Sequence, residues 1–383
     1  MTRTERCAAA RSRRTATRPG GRGRAFCRAV VAAVAALTVL TSSCSSSDES
    51  SGPTSTSARP TVRVPGFDPA TEIARNLDTP WGLAILPDGT ALVAERDTAR
   101  ILRVGPDRPP QEVYRVPEVT PQGEGGLLGL AVSPSYAADG YVYAYFTAAD
   151  GNRIVRFRPD GAPQPIFTGI AKSGNHNGGR IAFGPDGMLY AGTGDAENPP
   201  LAQDPASPNG KILRLTPEGS PAPGNPTPGS PVYSLGHRNV QGIAWDSDGR
   251  MYASEFGQNL FDEINRIEPG KNYGWPAVQG MGGADEGYTE PLLTWTTGEA
   301  SPSGIAIAQG TLYVAALRGE RLWTAPMTEG AIGKPRPVLD SVLGRLRTVA
   351  IAPDGALWLT TSNTDGRGEV REGDDRILRF PPL

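Results

Sequence analysis

The sequence predicts an all-β fold, a six-bladed β-propeller of four-stranded antiparallel blades, and three observations predict it. One phrase recurs six times between residues 61 and 383: a small apolar strand, a turn, then a second apolar strand. Several of the turns are Pro-Asp-Gly or a relative of it, and the glycine takes positive φ without steric cost. No stretch carries the 3.6-residue apolar period of an amphipathic helix, and 48 glycines with 37 prolines suit a chain rich in loops.

The copies are justified one by one. The first spans residues 81–89 and ends in Pro87-Asp88-Gly89, and the second spans 128–134 and ends at Pro134. The third, 179–187, closes on Pro185-Asp186-Gly187, and the fourth, 241–249, on Ser247-Asp248-Gly249. A shorter fifth copy covers 303–307, and the sixth runs over 348–355 to Pro353-Asp354-Gly355. Their register alanines, Ala84, Ala131, Ala182, Ala244, Ala306 and Ala350, are 47, 51, 62, 62 and 44 residues apart, the length of a four-stranded blade with variable loops. Further strands with a basic residue follow in several copies, at Arg103, Arg214 and Arg379. The segment before Leu77 is expected to pair with the last blade and close the ring.

Residues 1–44 read as a leader rather than as part of the fold. Nine arginines and one glutamate lead into an apolar run over 29–40 that is too short to span a bilayer, and small residues lead to Cys44. The pattern resembles a lipoprotein signal and predicts an exported chain with a lipid anchor at Cys44 on the outer face of a bacterial cytoplasmic membrane. Residues 45–60, almost wholly Ser, Thr, Pro, Gly and acid, read as a tether that cannot bury a core. With Cys7 and Cys27 removed in the leader, Cys44 is the one thiol expected in the exported chain, so no disulfide is predicted. Beyond residue 44 the chain has 29 basic and 39 acidic residues, a balance that argues against nucleic acid as a partner.

A propeller gathers loops from every blade at one end of a funnel, so residues far apart in sequence can share a site. The polar oddities occupy equivalent loop positions. Gly123-Glu124-Gly125-Gly126 precedes the second copy, Gly174-Asn175-His176-Asn177-Gly178 the third, Gly236-His237-Arg238-Asn239 the fourth and Gly344-Arg345-Leu346-Arg347 the sixth, while Arg318 follows the second strand of the fifth. A single loop arginine is ordinarily a solvated charge; several in one register imply an anion between them. His176 is one of two histidines in the chain, and Asp195 ends the stretch Gly192-Thr193-Gly194-Asp195 nineteen residues later. A carboxylate behind a loop imidazole fixes its tautomer and raises its basicity. Adjacent Asp262 and Glu263, near Gly257-Gln258 and Asn272-Tyr273-Gly274, suit a hard cation such as Ca²⁺. A transition-metal site built on His176 and His237 is the competing reading, with no thiol in the domain to support it.

The order of Gly-Glu-Gly-Gly-Leu-Leu-Gly-Leu-Ala, His-Asn-Gly-Gly-Arg, Gly-His-Arg-Asn-Val-Gln-Gly, Asp-Glu-Ile-Asn, Asn-Tyr-Gly-Trp-Pro and Gly-Arg-Leu-Arg resembles the glucose/sorbosone dehydrogenase family over residues 77–380. The resemblance implies a quinoprotein that uses pyrroloquinoline quinone (PQQ) with Ca²⁺ and oxidises an aldose at its hemiacetal carbon to a lactone, passing electrons to an acceptor other than NAD. It implies His176 as base with Asp195 as its partner, and Arg238 with Asn239 at the quinone oxygens. Glu124 and Asn175 would flank the cofactor, and Arg318, Arg345 and Arg347 would contact its carboxylates. Calcium would sit on the backbone of Gly257 and Gln258, with Asp262, Glu263 and the Tyr273 carbonyl at a neighbouring ion. The chain departs from the soluble glucose dehydrogenases, which have Gln, Asp and Lys where Glu124, Asn175 and Arg318 stand, and Thr348 takes a place often held by Asp. The alternatives are a calcium-dependent propeller lactonase and a surface-anchored binding propeller without chemistry.

Overall fold

The computed structural model describes residues 61–64 and 67–382; the leader, Cys44 and the tether lie outside the described residues. Six antiparallel sheets follow one another along the chain. The first blade starts with the strand Pro80–Ile85, the second with Leu127–Val132, the third with Ile181–Phe183, the fourth with Val240–Trp245, the fifth with Pro302–Ala308 and the sixth with Leu346–Ile351. Each of these strands contacts its counterparts in the blades on either side, and the sixth contacts the first, so the six form a closed inner ring.

Closure is made by the two ends of the described chain. Phe67–Ala74 pairs antiparallel with Ile377–Pro382, placing Thr71 opposite Arg379, and so supplies the fourth strand of the sixth blade. Thr61–Val64 adds a fifth strand outside it. In the fifth blade two short strands, Ala331–Ile332 and Arg336–Val338, share the outer position against Arg321–Thr328. Helix is confined to single turns such as Tyr136–Asp139.

The recurrent Gly-x-Ala of the inner strands has a packing cause. A Cβ on Gly82 would lie 2.5 Å from the Leu128 carbonyl oxygen, so neighbouring inner strands approach closely enough to exclude any side chain there. Farther out, large apolar side chains fill the spaces between blades. Leu86 and Leu92 of the first blade, for example, share a buried cluster with Leu130, Val142 and Phe146 of the second. The basic residues of the third strands are explained as well. Arg103, Arg214 and Arg379 pair with Asp88, Asp186 and Asp354 of the Pro-Asp-Gly turns, at 2.8 Å for Arg214.

Antiparallel pairing also decides where chemistry can gather. The loop entering each inner strand and the loop leaving each second strand open at the same end of the ring, while the Pro-Asp-Gly turns lie at the other. A cavity of 880 Å³ among the turns of the first and sixth blades is walled by prolines, Asp88 and the Asp354–Arg379 ion pair, and holds none of the candidate residues.

Candidate active site

The third blade carries the candidate base, His176. His176 has φ of 57°, and its carbonyl oxygen lies so close to Gly194 that a Cβ at 194 would collide with it, which lets the loop carrying Asp195 press against the His176 loop. Asp195 is fully buried. Its Oδ1 lies 2.7 Å from His176 Nδ1 and accepts from Glu197 N at 2.9 Å, while its Oδ2 accepts from Trp275 Nε1 at 2.8 Å. An acid-facing Nδ1 carries the proton, so Nε2 presents its lone pair. Arg238 Nη2 lies 2.6 Å from that Nε2 and donates to it.

Arg238 is itself fixed. Its Nη1 donates to Phe256 O at 3.0 Å, its Nε and Nη2 donate to Gln258 Oε1 at 3.0 and 2.7 Å, and its guanidinium lies over the Trp275 ring. Burial lowers its pKa, against the pull of Asp195 and Glu124. Asn239 Oδ1 accepts from Gly178 N at 2.9 Å, and its Nδ2 is buried without a partner. His237 is not in the funnel. It is buried, with Nε2 2.8 Å from Ser234 Oγ and Nδ1 2.8 Å from Glu255 Oε1, and stacks on Tyr273. The two histidines therefore share no metal site, and no three His, Cys, Asp or Glu side chains converge among the described residues.

The remaining arginines surround two adjoining cavities, of 360 and 370 Å³, that share Glu124, Phe256, Ser301, Arg318 and Arg367. Asp365 Oδ2 accepts from Arg345 Nη2 at 2.8 Å and from Arg347 Nη2 at 3.5 Å. Arg347 also donates to Gln241 Oε1 at 2.9 Å, and its Nε is buried without a partner. Arg180 is buried beneath them over the Trp81 ring, giving Nε to Gln241 O at 2.7 Å and Nη2 to Thr348 Oγ1 at 3.1 Å. Thr348 donates in turn to Trp81 O at 2.7 Å, so the hydroxyl at this position ties a buried arginine to the first blade. Burial brings Arg180 down to about 9 and Arg347 to about 10, the latter despite Asp365. Arg318 is exposed and lines both cavities. Arg96, paired with Asp97 at 2.7 Å, lines the inner one.

Glu124 and Asn175 meet at the mouth. Glu124 Oε2 accepts from His176 N at 3.2 Å, and Arg367 bridges Glu124 Oε1 at 2.6 Å and Asn175 Oδ1 at 3.0 Å. Asn175 Nδ2 donates to Glu197 Oε1 at 3.0 Å. Burial pushes the Glu124 carboxyl up, but Arg367, with the His176 N–H and Arg347, outweighs it and holds the group below its ordinary value.

The candidate calcium ligands divide. Gly257 and Gln258 line the outer cavity beside Arg238. Asp262 and Glu263, expected together at one ion, are successive residues of the strand Phe261–Ile267, and their side chains face opposite sides of it. Asp262 accepts from Gly257 N at 2.9 Å and Ser301 N at 2.6 Å, and burial raises it to about 6. Glu263 faces the other way, accepting from Gly280 N at 2.7 Å and Asn265 Nδ2 at 3.1 Å. There it shares a small cavity with Glu255 and Tyr273, and burial, then the Glu255 charge, raise its pKa. Tyr273 is thus grouped with Glu263 and not with Asp262.

The family model for glucose/sorbosone dehydrogenase matches residues 77–378. The chain belongs to that family. Among solved structures it is similar to the PQQ-bound form of an aldose sugar dehydrogenase from Streptomyces coelicolor, with 55% identity and a TM-score of 0.79 over 83% of this chain and 97% of that one. Among curated proteins it is 32% identical to an uncharacterised protein of Synechocystis, over 78% of this chain and 85% of that protein. It is 33% identical to quinoprotein glucose dehydrogenase B of Acinetobacter calcoaceticus, over 56% of this chain and 54% of that protein.

The structure adds residues that the sequence did not single out. Arg96, Asp365 and Arg367 sit on loops that leave second strands, the class of loop that also carries Asp195, Gly257, Gln258 and Arg318. Trp275 stood inside a recognised motif without a role, and Trp81 inside a repeat copy.

Proposed function

We propose that the protein is a PQQ- and calcium-dependent aldose dehydrogenase, oxidising the hemiacetal carbon of a sugar to a lactone and passing electrons to an acceptor other than NAD. The observation that carries this reading is the base. His176 turns an unprotonated Nε2 toward the cavities while Asp195 holds its Nδ1, a geometry made for taking a hydroxyl proton.

The residues present fit the cofactor. The walls hold more guanidinium groups than carboxylates, and two buried donors, Arg347 Nε and Asn239 Nδ2, lack partners, as expected of a site shaped for a polyanion with quinone and carboxylate oxygens. Arg318, Arg345 and Arg347 would hold its carboxylates, Arg238 and Asn239 its quinone oxygens, with Glu124 and Asn175 beside it, and Gly257 and Gln258 the accompanying Ca²⁺. PQQ, when bound, supplies a two-electron acceptor for the hydride of the sugar carbon. A sugar hydroxyl takes the place of Arg238 at Nε2, the proton passes to His176, and the buried Asp195 stabilises the imidazolium. Arg238, held by Gln258 and Phe256, stays in reach of developing negative charge.

Export and a lipid anchor at Cys44 belong to the same proposal, supported by the arginine-rich leader and the apolar run ahead of that cysteine. PQQ titrated into the Ca²⁺-loaded apoprotein is expected to bind and to confer aldose-dependent dye reduction. Turnover of a lactone without quinone would identify a lactonase instead. Glycan retention with neither activity would identify a binding module.

A further inference from the structure

The loop between the second and third strands of the sixth blade carries Asp365 and Arg367, two residues apart, on either side of Gly366. Asp365 turns to the arginines, as described above, while Arg367 turns to a carboxylate. The loop is seated closely: a Cβ on Gly368 would lie 2.7 Å from Arg345 Cδ and 2.8 Å from Asn363 Cα. Asp365 Oδ1 accepts from Arg367 N at 2.9 Å, so the ion pair on one side of the loop fixes the backbone that presents the cation on the other.

From that seat Arg367 reaches loops of two other blades. Glu124 enters the second blade and Asn175 the third, and one guanidinium bonds both. Glu124 is shielded, whereas Arg367 is 54% exposed at the mouth. The second oxygen of Glu124 accepts the backbone N–H of His176, a residue held at positive φ. A carboxylate in this place without a counter-ion would set a negative charge beside the base and beside the anion site. Arg96, Arg238 and Arg347 also act on it through space, but the cation in direct contact with Glu124 is Arg367.

We propose that Arg367 is a positioning residue for the base, neutralising Glu124 so that its carboxylate anchors the His176 backbone without placing net charge at the reacting centre. Arg367 acts through Glu124 and touches neither His176 nor Asp195. The pair behaves as a unit, so the effect of losing Arg367 depends on what stands at 124. Only the kinetic arm of the test rests on the dehydrogenase reading.

The test uses the full chain with Arg367→Met, Glu124→Gln and the double variant, and Arg367→Lys to keep the charge if the methionine variant does not fold. In ¹³C-glutamate-labelled apoprotein, the carboxyl resonance absent from Glu124→Gln reports Glu124 directly. Its midpoint is expected to rise by about one pH unit or more in Arg367→Met, and to stay near the parent value in Arg367→Lys. In the loaded enzyme, Arg367→Met is expected to lower kcat/KM about tenfold or more near neutral pH and to add a titration that Glu124→Gln/Arg367→Met lacks, with the double variant faster than Arg367→Met. An unmoved Glu124 midpoint, or a double variant no faster than Arg367→Met, overturns the proposal. If no form reduces dye, the dehydrogenase reading fails, and the resonance still decides the role of Arg367.

Discussion

Trp275 Nε1 donates to Asp195 Oδ2 at 2.8 Å, on the oxygen opposite the one that faces His176. The indole thus holds the carboxylate from behind while its ring lies against the Arg238 guanidinium, and one side chain orients both groups that contact the His176 ring, Asp195 at Nδ1 and Arg238 at Nε2. Asp195→Asn, which offers an amide where an acceptor is needed, is expected to lower kcat by roughly 10² to 10⁴ with PQQ still bound. Trp275→Phe leaves Asp195 its bonds to His176 and Glu197 N and is expected to cost about tenfold. Steady-state kinetics beside a PQQ binding titration checks both; equal losses in the two variants would count against the indole acting through Asp195.

Asp365 is the counter-ion that lets Arg345 and Arg347 lie together while both are nearly buried. These two arginines hold its pKa low against its own burial. Asp365→Asn breaks a buried pair, a change that costs about 3–5 kcal/mol. The apoprotein melting temperature is therefore expected to fall by several degrees. PQQ carboxylates would return the missing charge, so the rise in melting temperature on loading is expected to be larger in Asp365→Asn than in the parent. Equal rises would remove these arginines from the carboxylate site.

Glu263 is expected to make stability depend on pH. Its pKa is raised in the folded chain from the ordinary 4.5, by burial first and by Glu255 second. The folded state then keeps a proton that the unfolded state gives up. Apoprotein stability is therefore expected to fall as pH rises above the ordinary glutamate range and through the raised native value. A cation beside Glu263 and Glu255 would take the place of that proton, so added Ca²⁺ is expected to raise the melting temperature more at pH 8 than at pH 5. Melting curves against pH, with and without Ca²⁺, test this, and Glu263→Gln should flatten the slope. A Ca²⁺ effect independent of pH and of Glu263 would place the ion elsewhere.

The repeat made the fold legible. Its six alanines mark the inner ring, and the turns mark the end of the propeller away from the site, because strand alternation and Asp-Gly turns are local consequences of residue type. The loops entering the inner strands were legible for the same reason, and they carry His176, Arg238 and Arg345, with Arg347 at the start of its inner strand. Pairings across the funnel were not. Glu124 read only as a departure from the family's Gln, since its partner Arg367 lies 243 residues away on a loop with no repeat signature. Asp262 and Glu263 read as one site because they are adjacent, although the period of two that predicted strands elsewhere separates their faces. Applying that alternation to residues 261–267 would have parted them.

The account turns on His176 as the base. The most direct measurement loads the parent and His176→Ala with PQQ and Ca²⁺, determines the bound cofactor in each, and follows aldose-dependent dye reduction. The account predicts that both bind PQQ and that His176→Ala loses at least about a hundredfold in kcat. Aldose oxidation by His176→Ala at a rate near the parent's, with cofactor bound, would contradict it.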